Sequence, residues 1–232
     1  MNECLMVKNV VCPLCGYHFT TYKAKRNKYR LIRKDSDFCP YFEGVDPLFY
    51  EINVCTKCGF SFSDNFDAYI DKDRQKKFIE TVSTRWNGID YCQERDIVQA
   101  VETFKLALTS AQIVELKDSI LAGLCLRISW LNRLQENHDE EKRFMSWAVE
   151  LYKKAYEYED FEDTNSISLE LVIYLLGELN YRLENYNETY KWFNMALSQY
   201  GRNGKVSSSN ESLVRDRWLE IKDQVKNHCK EL

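Results

Sequence analysis

Two pairs of cysteines are the residues best suited to chemistry in this chain: Cys12-Pro13-Leu14-Cys15-Gly16 and Cys55-Thr56-Lys57-Cys58-Gly59. The C-x-x-C spacing lets two thiolates reach one ion from a single tight turn. The glycine after each second cysteine permits the positive-φ backbone that such a turn needs. Two pairs supply four sulfurs, the donor set of a closed tetrahedral zinc site. Cys12, Cys15, Cys55 and Cys58 are therefore expected to hold one structural Zn²⁺, with no open position for water or substrate. Iron is the other metal that four thiolates accept. Of nine cysteines, the remaining five (Cys4, Cys39, Cys92, Cys125 and Cys229) share no spacing. Two such pairs in a reducing compartment favour metal over a disulfide framework. Cys39, before Pro40, looks like half a knuckle, but no second cysteine lies near it and it reads as a small core thiol. His18 could replace a ligand only if a sulfur were missing. His138 and His228 sit in polar contexts and read as solvent-facing.

Asp35, Asp37 and Asp46 invite a second chemistry, because clustered carboxylates suit Mg²⁺ or acid–base work. Asp35 and Asp37 also fit loop capping beside Arg33 and Lys34. No Gly-rich phosphate loop, HExxH, GxSxG or Cys–His pair at a known spacing accompanies them, so no catalytic residue is expected. A third chemistry is electrostatic. Lys23, Lys25, Arg26, Lys28 and Arg30, with Tyr22 and Tyr29 interleaved, could grip nucleic acid. Against that reading stand a pI of about 5.6 and a net charge of −4. The acidic stretch from Asp35 to Asp71 nearly cancels the basic stretch before it, so internal pairing is expected instead.

The elements that position these groups fall into two parts. Residues 1–65 read as a small zinc-ribbon-like β head, with strands over Leu5–Val11, Tyr17–Tyr22, Tyr29–Arg33 and Phe49–Val54 and a turn over Glu43–Pro47. The aromatic-rich segments Asp35–Tyr41 and Asp46–Tyr50 read as packed loops. So small a β unit has little core of its own, and metal binding would supply folding energy on the order of 10 kcal/mol. Residues 66–232 read as helical, with apolar residues at i, i+3 and i+4, such as Leu121, Leu124, Ile128 and Leu131. Breaks are expected at Asn87-Gly88, Glu136–His138, Asp163–Asn165 and 201–210, with N-caps at Thr164 or Asn165 and at Ser209 or Asn210. A pattern of small, aromatic, small residues recurs as Ala100, Phe104, Ala107, as Ala148, Tyr152, Ala155, and as Thr189, Phe193, Ala196. Its intervals exceed the roughly 34-residue tetratricopeptide period. Gly88 precedes the first copy by the same offset as Gly177 precedes the third. The expectation is a tetratricopeptide-like stack closed by a C-terminal capping helix, and the whole chain is α+β.

Three prolines and eight glycines in 232 residues leave few helix breakers. No run of about 18 apolar residues appears, so no transmembrane helix is expected. Residues 1–11 lack a signal-peptide pattern, which points to the cytoplasm.

Taken together, these motifs resemble the DUF2225 family, uncharacterised bacterial proteins common in Firmicutes. The carriers are Cys12–Cys15, Arg33–Cys39, Asp46–Tyr50, Val54–Phe60, Leu126–Leu131 and Gly177–Leu183, spread over nearly the whole chain. The resemblance implies a zinc-ribbon-like head and a tetratricopeptide-like body, and it supplies no activity. Thr56 stands where proline is common, which removes no ligand. The functional expectation is a non-enzymatic scaffold that binds a peptide or protein in a helical groove through Arg127, Trp130, Asn132, Tyr174, Asn180, Tyr181 and Arg182. The alternative is a nucleic-acid-associated zinc ribbon using the basic 23–34 segment.

Overall fold

The computed structural model describes residues 3–64, 66, 70–161, 167–202 and 209–230. Three antiparallel hairpins come first: β1 Leu5–Val11 with β2 His18–Ala24, β3 Tyr29–Lys34 with β4 Pro40–Gly44, and β5 Asn53–Val54 with β6 Ser61–Phe62. Seven helices follow among the described residues: α1 Lys72–Thr81, α2 Ile97–Ile113, α3 Asp118–Leu134, α4 His138–Tyr158, α5 Leu169–Arg182, α6 Tyr186–Arg202 and α7 Ser209–Lys230. Strands followed by helices give the α+β arrangement. None of these helices is long and apolar enough to cross a membrane.

Three of the four expected strands form. The fourth, over Phe49–Val54, does not. Pro47 presets a helical φ and Asp46 accepts a hydrogen bond from the Leu48 amide at 2.9 Å, so Pro47–Tyr50 winds into a 3-10 turn and only Asn53–Val54 pairs. The expected turn over Glu43–Pro47 begins only at Gly44, since β4 runs through it. Gly44 has φ +92°, and a Cβ there would meet the Lys28 carbonyl oxygen at 2.3 Å, so the close approach of the two chain segments requires glycine.

Helix starts follow capping chemistry. Asp96 accepts from Gln99 N at 2.8 Å while the Gln99 side chain accepts from Asp96 N at 3.2 Å, a full capping box on α2. Ser168 caps α5; the expected caps Thr164 and Asn165 lie outside the described residues. Helix ends use glutamate where glycine is the usual choice. Glu115, Glu136 and Glu184 follow α2, α3 and α5 with φ of 56°, 58° and 63°. Each is followed by an amide that bonds back across the last turn, Leu116 to Ala111 at 3.0 Å, Asn137 to Asn132 at 2.9 Å and Asn185 to Asn180 at 2.8 Å. The break between α2 and α3 carries no Gly or Pro, so the sequence reading passes over it. At the expected 201–210 linker, α6 continues to Arg202; residues 203–208 lie outside the described set.

The strands bury themselves on the helices. Cys39, Leu48, Ile52 and Val54 join the main core with residues of α2 to α7. A smaller core gathers Val10, Cys12, Leu14, Cys55, Cys58, Phe60 and Phe62 around Phe78 of α1 and Val114 after α2. Helices pack in sequence order, α3 on α4, α5 on α6, and α7 on α6. The three small–aromatic–small copies fall on α2, α4 and α6, with every member buried. Gly177 on α5 lets α6 approach, because a Cβ there would lie 2.9 Å from Phe193 Cδ2. Gly88 has no such role: it sits at φ +73° in the irregular segment before α2, so the first unit lacks a matching upstream helix there.

Gly177→Ala is expected to cost about 1–3 kcal/mol by overpacking. At Gly123 a Cβ meets the far end of the Arg127 side chain, Nη1 at 3.3 Å, and Tyr152 Oη at 3.9 Å. Gly123→Ala is therefore expected to stabilise α3 by up to about 1 kcal/mol. Urea denaturation of the two variants reads both signs.

Candidate metal centre

Each cysteine pair forms the turn of a hairpin, Cys12–Gly16 between β1 and β2 and Cys55–Gly59 between β5 and β6. The two turns have the same internal hydrogen-bond pattern. Gly16 N donates to Cys12 O at 2.9 Å and Gly59 N to Cys55 O at 2.8 Å. Cys12 N donates to Tyr17 O and Cys55 N to Phe60 O, both at 2.9 Å. Gly16 and Gly59 take φ of +67° and +77°, the left-handed region expected of them.

The turns face each other and bring all four sulfurs within 4.8 Å. Cys12 Sγ lies 3.7 Å from Cys58 Sγ, and Cys15 Sγ lies 3.8 Å from Cys55 Sγ. A tetrahedron with metal–sulfur bonds of about 2.3 Å has edges of about 3.8 Å, so the donor set fits a tetrahedral ion. Without a cation, Cys12, Cys55 and Cys58 share their protons through hydrogen bonds. Hydrogen bonding to Cys55 pushes Cys12 up to about 12, and hydrogen bonds from Cys12 and Cys58 pull Cys55 down. Cys58 is pushed up by hydrogen bonding to Cys12 and Cys55 and by burial. A bound cation replaces this sharing of protons. Phe60 packs edge-on against Phe78, and Trp86 Nε1 donates to Thr56 O at 3.0 Å, which sets its ring over Gly59.

These four cysteines are the only group of three or more His, Cys, Asp or Glu able to share an ion among the described residues. His18 is exposed and outside the group. Cys39 is a core thiol, as expected, and burial pushes it up to about 12. His138 and His228 are exposed; His228 stacks on Tyr186.

The carboxylates converge on arginines. The tip of the β3–β4 hairpin, Asp35–Cys39, plugs into the helices with Phe38 at φ +69°. Asp37 is fully buried, and its carboxylate meets Arg133 Nη2 at 2.6 Å, Arg182 Nη2 at 3.4 Å and Trp130 Nε1 at 3.2 Å. Arg133 also meets Asp35 at 2.9 Å and Glu141 at 2.6 Å. Glu178, fully buried on α5, meets Arg182 at 2.9 Å, Arg217 of α7 at 2.7 Å and the Ser36 hydroxyl at 2.5 Å. Burial pushes the Asp35 carboxyl up, but the Tyr41 hydroxyl and Arg133 outweigh it and hold it below the usual range. Asp46 stands apart, capping its 3-10 turn.

Several residues expected to line a partner groove therefore face the chain itself. Trp130, Asn132, Tyr174 and Asn180 are buried. Tyr174 donates to Ser36 O at 2.7 Å, and Asn132 and Asn180 donate to Ile128 O and Leu176 O within their own helices. Arg182 belongs to the ion cluster. At Trp130, Tyr174 and Arg182 an exposed groove is corrected to a face filled by the 35–39 tip, because Asp37 is stable in the interior only among arginines, while Asn132 and Asn180 are spent within their own helices. Arg127 and Tyr181 stay half-buried, Arg127 pairing with Glu51 at 2.8 Å and Tyr181 donating to Gln224 at 2.7 Å. In the basic segment, Lys23, Arg26, Lys28 and Arg30 are exposed, while Lys25 donates to Glu3 O at 3.0 Å. The expected internal pairing appears in Lys8–Asp64, Arg30–Glu43 and Arg33–Asp35. Sequence reasoning missed Arg133, Glu178 and Arg217. Glu178 had a legible signal: a lone acid inside the apolar run Leu171–Leu179, where an unpaired charge is not tolerated.

The fold and site define a cysteine-clustered head packed on a helical body. The family model for DUF2225, described as an uncharacterized protein conserved in bacteria, matches residues 5–221, and the chain belongs to that family. No curated protein and no solved structure matches the chain.

Gly16→Ala adds only backbone strain of about 1–2 kcal/mol, since nothing lies within 4 Å of the new Cβ. Gly59→Ala adds the same strain and a clash with Trp86 Cδ2 at 2.7 Å, so thermal denaturation should place it clearly below Gly16→Ala. Arg133→Met is expected to cost about 3–5 kcal/mol, because it strands Asp37; a loss under about 1 kcal/mol would mean that the cluster behaves as a solvated surface pair. Asp35 titrates lower in the fold than when unfolded. Its contribution is full above the unfolded value of about 3.9 and fades as pH falls through the folded value, which acid titration of stability in wild type and Asp35→Asn checks.

Proposed function

We propose that this chain is a non-enzymatic, zinc-stapled interaction module that binds a peptide or protein on its helices. Zinc is favoured for the cluster because four thiolates at tetrahedral spacing form a closed set with no position for water or substrate. The buried small–aromatic–small copies on α2, α4 and α6 favour a tetratricopeptide-like reading of the body. With the 35–39 tip filling one helical face, the observation that carries the partner-binding reading is an open crevice of about 970 Å³ on another. It is walled by α4, the α5–α6 turn and the end of α7, and Lys153, Asn185, Tyr186, Asn187, Glu188 and His228 line it. Its mixture of amide, charge and aromatic groups suits a peptide backbone better than a small apolar ligand. A nucleic-acid role is the second reading, favoured by Arg26 and Lys28, which are exposed at the β2–β3 connection with no ion pair among the described residues.

Purified chain is expected to carry about one zinc per molecule. Chelation should change the fluorescence of Trp86, read against Trp86→Phe, while most of the helical circular dichroism persists. Affinity capture followed by mass spectrometry should lose its specific partners in the double variant Lys153→Glu, Asn187→Arg. An unchanged partner set would contradict the crevice, and salt-sensitive RNA or DNA binding lost in Arg26→Ala, Lys28→Ala would favour the second reading.

A further inference from the structure

One buried cation stands outside the ion cluster. Arg95, in the segment leading into α2, is only 6% exposed. Its Nε donates to Tyr91 O at 2.6 Å, and its Nη1 donates to Ile52 O at 2.7 Å and Phe49 O at 3.1 Å. These bonds staple the 3-10 turn to the start of α2, and the Tyr50 ring lies 6.0 Å from the guanidinium. Nη2 is buried with no hydrogen-bond partner. Arg133, Arg182 and Arg217 each end on carboxylates. Arg95 ends on carbonyl dipoles, and no ion pair reaches it among the described residues; Asp90, which holds the Cys92 amide, acts on it only at longer range. A buried charge without a direct counter-charge is costly, and an orphaned donor adds to the cost.

Arg95 also lines a crevice of about 410 Å³ with Cys4, Gly44, Asp46, Tyr50 and Glu94. The volume is ample for an ion of a few heavy atoms; a water occupies about 30 Å³. The N-terminus of the 17-residue α2 begins just beyond Arg95, and its Asp96 cap places a carboxylate there that offsets the positive potential of the helix end. Two carboxyl groups on the walls oppose an anion. Asp46 spends one oxygen on Leu48 N, and burial pushes its pKa up. Glu94 is at the exposed rim.

We propose that this crevice is a binding site for a small oxyanion, a phosphate or a carboxylate, whose oxygen completes the unpaired Nη2 of Arg95. A guanidinium is suited to this, because its planar fork keeps one edge for the protein carbonyls and offers the other to the ligand. The site is separate from the sulfur cluster and from the crevice beside α4, and it stands whether or not the chain binds a partner protein.

The test is a titration of the full chain with inorganic phosphate and, in a second arm, with sodium acetate. Sodium chloride at matched ionic strength is the control. The readout is the side-chain Nε–Hε resonance of Arg95. The expected result is a saturable shift with one or both oxyanions and none with chloride; the arm that saturates at lower concentration names the ligand class. Arg95→Lys keeps the charge but loses the fork, and it should weaken binding by about tenfold or more. Asp46→Asn, which removes an opposing charge, should tighten it. No saturable shift in the wild type overturns the proposal, and so does saturable binding that Arg95→Lys leaves unchanged. If Arg95→Lys does not fold, the wild-type resonance decides.

Discussion

The convergence of four sulfurs on one point is the constraint on which the head depends. β5 and β6 pair through only two residues each, and β1 exposes Met6, Val7 and Val11. Neither hairpin can bury enough apolar surface to stand alone in water. Because each cysteine pair is the turn of its hairpin, the atoms that close the cluster also fix the ends of both strand pairs. The smaller core then forms around them. Phe60 and Phe78 pack beside the sulfurs, Val114 brings in the end of α2, and Trp86 lies across Gly59. A left-handed glycine, a tryptophan and a cysteine turn are thus parts of one local solution.

The hairpin between the two cysteine turns is held by charge. β3 is exposed along most of its length, so little apolar burial anchors it. Its tip enters the helices with Asp37, which could not stay in the interior unpaired. Arg133 from α3, Arg182 from α5 and Arg217 from α7 meet it or meet Glu178 beside it, and four separate segments become mutually dependent. Such a cluster adds little net stability over an apolar plug of the same shape, but losing any one member strands the others. Arg95 shows the contrast, since the same side chain in a comparable interior is satisfied by carbonyls on one edge only.

Much of this was legible in the sequence. The cysteine spacing and its glycines specified both turns. The 3.6-residue periodicity specified the helices, and the small–aromatic–small copies marked positions that are buried on α2, α4 and α6. What was not legible has physical reasons. The strand expected over Phe49–Val54 failed because proline and an aspartate cap acted locally against β propensity. The end of α2 was hidden because Glu115 adopts the left-handed conformation usually given to glycine. The helical face expected to be open is filled because Asp37 and Arg133, far apart in sequence, pair in space, and no single-sequence pattern encodes that pairing. Trp130 and Tyr174 looked like exposed binding groups; they are buried and bond to the chain's own tip.

The central claim is that the head is organised by a metal ion on four sulfurs. X-ray absorption at the zinc edge of the purified full chain tests it most directly. The account predicts a first shell of four sulfurs at about 2.3 Å and no lighter neighbours. A shell containing nitrogen or oxygen, or a folded chain that carries no metal while Trp86 keeps its packed environment, would contradict it.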